Sequence, residues 1–149
     1  MEFVTHHFRT NGRWSVVGLS AGGYGAAYLG ESRPGRYQSV CALSGVFVAD
    51  TGAFADQTRA ERLLASPMSH TSPTGPRTLL IAGASDATSR SETAEYASLM
   101  ARSGQAHQVL VRSGGHEWSL WRTELPTCLR YVLAPPAPAS TAPRSGEAG

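Results

Sequence analysis

The chain has 149 residues, the length of a single domain, and its 41% of apolar residues and 16 glycines are ordinary for a globular protein. Its 13 basic residues are all Arg, scattered singly and offset by 11 acidic residues to a net charge of +2. That distribution lacks the basic stripe of a nucleic-acid or anionic-membrane binder.

Met1–Thr10 carries no apolar stretch behind a basic start, so it does not read as a signal peptide. Asn11-Gly12 is a turn signal. The longest charge-free run, Trp14–Gly30, contains five Gly and two Ser and falls short of a membrane span. The expectation is a soluble chain with no nucleic-acid or membrane partner. It is cytoplasmic as it stands, or exported if a leader lies outside these residues. Cys41 and Cys128 lie far apart in apolar surroundings and fit neither a disulfide framework nor a metal site. They read as two buried thiols, with a long-range disulfide as the alternative.

Four short apolar runs follow one another, each leading into a segment of helical character. Trp14–Leu19 precedes a small-residue helix over Ala21–Gly30. Ser39–Leu43 ends at Ser44-Gly45, before a helix predicted over Ala55–Ala65 and a Pro/Ser/Thr-rich loop, Ser66–Pro76. Thr78–Ala82 precedes a helix over about Ser91–Ser103 that stops at Gly104. Gln108–Val111 leads through Gly114-Gly115 to a last helix over Trp118–Leu133, expected to bend at Pro126. Continuous rather than alternating apolar strands, separated by helices, predict an α/β fold with a parallel sheet covered on both faces. Pro135–Gly149 has no large apolar side chain to offset its ordering entropy and is expected to be a disordered tail behind a domain of residues 1–134.

Gly18-Leu19-Ser20-Ala21-Gly22 fits the G-x-S-x-G pattern of a nucleophile elbow. The pattern alone is weak, but here it follows a predicted strand and opens a predicted helix, the context the elbow requires. There Ser20 would take a strained backbone, with Gly18 and Gly22 keeping side chains out of the tight turn. A serine hydroxyl needs a base, and the base an orienting carboxylate, in the chain order Ser, acid, His. Asp86 lies just beyond the C-terminal end of the third strand, the edge at which open α/β sheets gather ligand and catalytic groups. Asp50 is the alternative, and Asp56 reads as a helix-start residue. The lesser reading of Asp86 is as a cap of the helix that follows it. Of the five His, His6, His7, His70 and His107 are badly placed, whereas His116 follows the fourth strand on a Gly-Gly loop. Trp118 and Trp121, with Leu125, Leu129 and Val132, form an apolar stripe for which core packing is favoured over a binding role. Tyr24 could touch substrate or pack beneath its helix.

The stretch Gly18–Ala26 resembles the elbow of the esterase branch of the α/β-hydrolases, which includes S-formylglutathione hydrolase, enterochelin esterase, feruloyl esterases and the antigen 85 mycolyltransferases. Ser44-Gly45, Gly83-Ala84-Ser85-Asp86 and Gly114-Gly115-His116-Glu117-Trp118-Ser119-Leu120-Trp121-Arg122 fit the same branch, the last being the most specific. The resemblance covers only the family's C-terminal half, implying a partial α/β-hydrolase fold of about four parallel strands without the N-terminal ones. It implies Ser20 as nucleophile, His116 as base and acid, Asp86 as orienter and the Ala21 backbone N–H as one oxyanion donor, with no metal or cofactor. The second donor normally comes from a loop after an earlier strand, and no such strand precedes Trp14. The implied activity is hydrolysis of a small-molecule or glycan ester. Acyl transfer by the same triad, or an inactive scaffold of the same fold, are the alternatives. Trp14–Leu19 would be an edge strand through which the chain could self-associate.

Overall fold

The computed structural model describes residues 2–48 and 56–135. Asp50, Ala55 and the tail from residue 136 onward lie outside the described residues. A short, exposed helix α1 (Glu2–His7) is followed by β1 (Ser15–Leu19), α2 (Ala21–Glu31), β2 (Ser39–Leu43), α3 (Arg59–Ala65), β3 (Arg77–Gly83), α4 (Ala87–Ser103), β4 (His107–Arg112) and α5 (Trp118–Leu133). The four strands form one sheet in the order β1-β2-β3-β4, every pair parallel.

Alternate residues of the central strands face opposite layers. Cys41, Leu43, Leu79 and Ile81 pack against Leu120, Trp121, Cys128 and Val132 of α5. Ala42 and Leu80 pack on the other face with Ala27 of α2 and Tyr96 and Met100 of α4. β2 is buried at all five positions, as a strand covered on both faces should be.

Local signals move several predicted boundaries. α3 starts at Arg59 rather than Ala55, because Thr58 and Glu61 form a capping box: the Glu61 N–H donates to Thr58 Oγ1, and the Thr58 N–H to Glu61 Oε2. A 3₁₀ turn at Pro67–His70 breaks the loop predicted over Ser66–Pro76. α4 begins at Ala87, four residues before the predicted Ser91, because Asp86 is its N-cap. Gly104 ends it with φ 76°, a left-handed conformation that suits glycine.

The cysteines are not free thiols: Cys41 and Cys128 form a disulfide, with Cα atoms 5.5 Å apart. Cys41 faces α5 from the middle of β2, and Cys128 lies on the buried side of α5. Packing thus joins residues that are 87 apart in sequence. On the loop-entropy account a closure of that length stabilises by roughly 4–5 kcal/mol. The Cys128→Ser chain is therefore expected to lose most of that in denaturant unfolding, and an unchanged midpoint would show that the cross-link is not made.

Glu31, at the end of α2, is 3% exposed. One carboxylate oxygen accepts from Tyr96 Oη at 2.9 Å and Gln105 Nε2 at 2.6 Å, and the other has no partner. Burial outweighs these two donors and pushes the carboxyl up to about 7 from its ordinary 4.5. The folded state therefore holds this proton at pH values where the unfolded chain has released it. Stability from this site is full below pH 4.5 and falls as pH rises toward 7, by at most about 3 kcal/mol. Glu31→Gln is expected to flatten that slope in urea midpoints taken from pH 4 to 8, and an unaltered slope would count against it.

β1 pairs only with β2 among the described residues, and all five of its positions are partly exposed. Beside it, the apolar stripe of α5 divides. Trp121 and Val132 enter the core as expected, whereas Trp118, Leu125 and Leu129 are 65%, 45% and 43% exposed and do not. Val17, Leu19, Leu43, Trp118, Trp121 and Leu125 line an open groove of about 540 Å³ between β1 and α5. An unpaired edge without charge or proline beside exposed apolar surface is prone to association. The 149-residue chain is expected to self-associate through this face, with Val17→Lys suppressing association. A monodisperse monomer in sedimentation velocity at high concentration would refute this.

Candidate active site

Ser20 sits where β1 turns into α2, with φ 53° and ψ −124°, far from the ordinary conformations of a residue with a side chain. The turn closes tightly because Gly18 has no side chain: a Cβ there would lie 1.9 Å from the Gly22 carbonyl oxygen. Gly22 does not have the role expected of it, since a Cβ at that position would meet nothing within 4 Å. Gly23 is the second crowded position, 3.0 Å from the Gly45 Cα. The Ser20 N–H donates to the Leu43 carbonyl at 2.9 Å, and its own carbonyl accepts from Gly23 and Tyr24. Ala21 follows as the first residue of α2, so its N–H is one of the amides left without an acceptor inside the helix.

Asp86 stands three residues beyond the end of β3 and uses both carboxylate oxygens. Oδ1 accepts the Ser89 N–H at 3.2 Å, capping α4, and Oδ2 meets His116 Nδ1 at 2.7 Å. The two readings of Asp86, cap and histidine partner, hold together. Its loop is pressed against the one bearing His116: the Ser85 N–H donates to the Gly114 carbonyl at 2.9 Å, and a Cβ on Gly83 would lie 2.6 Å from the same oxygen. Gly114 has φ 122°, and the Gly115 N–H donates to Glu117 Oε1 at 2.9 Å, which shapes the turn into α5.

His116 Nε2 lies 2.8 Å from Ser20 Oγ. A carboxylate can only accept, so Nδ1 carries the proton toward Asp86 and Nε2 is left to accept from the serine hydroxyl. Ser20, His116 and Asp86 are thus hydrogen-bonded in series at the C-terminal edge of the sheet. The Asp86 side chain is 9% exposed and that of His116 38%. His107 lies at the start of β4, the opposite edge. The Tyr24 hydroxyl donates to the Ala65 carbonyl at 2.8 Å, its ring stacks on Tyr28 of the same helix, and burial raises its pKa. Among the described residues no group of His, Cys, Asp and Glu could hold a metal ion, and no helix is long and apolar enough to cross a membrane.

Two features beside the site were not read as functional from sequence. Ser44 holds φ 45° just after β2 and is fully buried. Its Oγ accepts the Trp121 indole N–H at 3.1 Å, and the Trp121 ring lies 5.0 Å from the His116 ring, nearly perpendicular at 88°. Glu92 of α4 accepts the Phe47 and Val48 N–H groups and holds the chain after Ser44. Only the Ser44-Gly45 pair and the Trp spacing hinted at the first feature, and nothing hinted at the second.

A parallel sheet flanked by helices, with a serine on a strained strand-to-helix turn and an acid and a histidine after later strands, defines an α/β-hydrolase arrangement. Comparison with known proteins specifies it further. The family model described as "Putative esterase" matches residues 1–132, and the chain belongs to that family. A ferulic acid esterase superposes with a TM-score of 0.72 at 22% identity, over 88% of this chain and 56% of that one. An S-formylglutathione hydrolase from Agrobacterium tumefaciens gives 0.69 at 18%, over 87% and 52%. One from Staphylococcus aureus gives 0.68 at 16%, over 89% and 57%. At these identities the likeness is one of fold, and the chain spans little more than half the length of each. No curated protein sequence matches it.

Proposed function

We propose that this chain carries the catalytic residues of a serine carboxylic-ester hydrolase that acts through an acyl-enzyme on Ser20. The carrying observation is the unbroken hydrogen-bond series from Ser20 Oγ to His116 to Asp86, at 2.8 and 2.7 Å, set on a strained turn. Family membership supports the ester as substrate class, because the family is described as esterase. In this reading Ser20 is the nucleophile of the elbow. His116 Nε2 takes the hydroxyl proton as Oγ attacks the ester carbonyl, then gives it to the leaving alcohol. Asp86 keeps the proton on Nδ1 and faces the imidazolium that forms. Water then repeats the sequence on the acyl-enzyme.

The Ala21 N–H would be one donor to the developing oxyanion. A second donor is not assigned among the described residues, and lack of one donor costs on the order of 10²–10³ in turnover in other serine hydrolases. Activity of the 149-residue chain alone is expected to be low for that reason. A sugar or alcohol replacing water would turn the same three residues to acyl transfer, so the acceptor is set outside the triad. Likeness in fold to a ferulic acid esterase supports a small-molecule or glycan ester as substrate.

A fluorophosphonate probe is expected to label Ser20 and no other serine, and Ser20→Ala to remove about six orders of magnitude of turnover on an aryl ester. Labelling elsewhere, or hydrolysis unchanged in the variant, would sink the assignment. Asp86→Asn separates the two jobs of that residue. Asparagine caps a helix as well as aspartate does, so the thermal midpoint should hold while turnover falls about 10⁴-fold through loss of the correct tautomer. Equal loss of fold and activity would make Asp86 a cap alone.

A further inference from the structure

We infer that Trp121, itself fixed by Ser44, is the positioning residue of the His116 imidazole, an inference that rests on the role proposed for His116. Two hydrogen bonds hold that ring, one at each nitrogen, and the N–H and the lone pair of an imidazole both point along its ring plane. They set its tilt within the plane but leave it free to rock about the line joining Asp86 Oδ2 to Ser20 Oγ. The hydrogen bonds at Gly114 and Gly115 hold the loop backbone but do not reach the ring, whose side chain is 38% exposed, so the loop supplies no stop to that motion. The contact with Trp121 does. The Trp121 ring meets the imidazole at 5.0 Å and 88°, an edge-to-face arrangement that favours one ring orientation.

Such a stop works only if the indole is itself immobile. Trp121 is 8% exposed, and its N–H donates to Ser44 Oγ across 77 residues of sequence. Ser44 is locked in turn: it is fully buried, its N–H donates to the Ile81 carbonyl at 2.7 Å, and its backbone is held at φ 45°. The exposed Trp118 ring also meets the indole, at 5.2 Å and 77°. The path from the sheet to the base is therefore Ser44, Trp121, His116.

The decisive measurement is the His116 Nδ1–H proton resonance, read with the rate of Ser20 phosphonylation by the fluorophosphonate. Both are available whether or not the chain turns over esters rapidly. The native chain should show a downfield, slowly exchanging Nδ1–H; its absence would overturn the role given to His116 itself, and the inference with it. Trp121→Leu should broaden or lose that resonance and slow phosphonylation about 10- to 100-fold, the cost of a small misplacement of a reacting group. Trp121→Phe keeps a ring and loses the anchor, and Ser44→Gly suits the backbone and removes only the acceptor. Both should give intermediate losses, and they decide the matter if Trp121→Leu fails to fold. On an aryl ester the loss should fall on kcat with KM nearly unchanged. A rise in KM alone would make Trp121 a substrate wall. That result, or an unaltered resonance and labelling rate in folded variants, would overturn the inference.

Discussion

The backbone at Ser20 lies in a region that costs a residue with a side chain about 1–3 kcal/mol, and it persists only because its surroundings over-determine it. Gly18 leaves room for the Gly22 carbonyl, the Leu43 carbonyl takes the Ser20 N–H, and α2 begins at once, drawing two amides onto the Ser20 carbonyl. The result is a hydroxyl held clear of the sheet at its C-terminal edge. Everything else in the site is a matter of delivering two more side chains to that point. The parallel sheet does so without long-range design, because each strand ends at the same edge and the loop after it starts there.

This is why so much of the site could be read from sequence. Parallel topology fixes which end of each apolar run faces the edge, so Asp86 could be preferred to Asp50 and Asp56, and His116 to His107 and the other histidines, largely by position along the chain. What could not be read depends on side-chain direction. The pairing of Cys41 with Cys128 requires knowing that one faces α5 from β2 and the other faces β2 from α5, a register that neither spacing nor composition carries. The crowding at Gly23 rather than Gly22 is set by the approach of Gly45 from the neighbouring loop, again a tertiary contact. The apolar stripe on α5 was legible, but its destination was not, because hydrophobic spacing says which residues share a face and not what covers it.

α5 ties these features together. Its first turn follows His116, Trp121 in its second turn meets the imidazole, Cys128 bonds it to β2, and the Arg112–Glu124 ion pair at 3.3 Å joins it to β4. The Arg77 guanidinium reaches the Tyr131 and Ala134 carbonyls and lies over the Tyr131 ring, holding the far end. A helix anchored at both ends and cross-linked in the middle gives His116 a rigid support, and the hydrogen bonds at Gly114 and Gly115 hold the loop before that residue. Rigidity at this helix is thus a condition of the hydrogen-bond series and not only of stability.

The same helix also bounds the edge of the sheet at β1, and two requirements meet there. On the β2 side, the Leu43 carbonyl already takes the Ser20 N–H, and Ser44 and Trp121 fill the space beyond. On the proposed mechanism, a second oxyanion donor would then approach from the other side, across the open edge of β1. The groove between β1 and α5 lies on that side, lined by Val17, Leu19, Trp118 and Leu125, and it needs apolar cover. A backbone segment laid along the edge would pair the free groups of β1, cover the groove and carry amides to the mouth of the Ser20 turn. On the proposed mechanism, burial of the edge and stabilisation of the oxyanion would be one requirement, because a single strand and the loop after it would meet both.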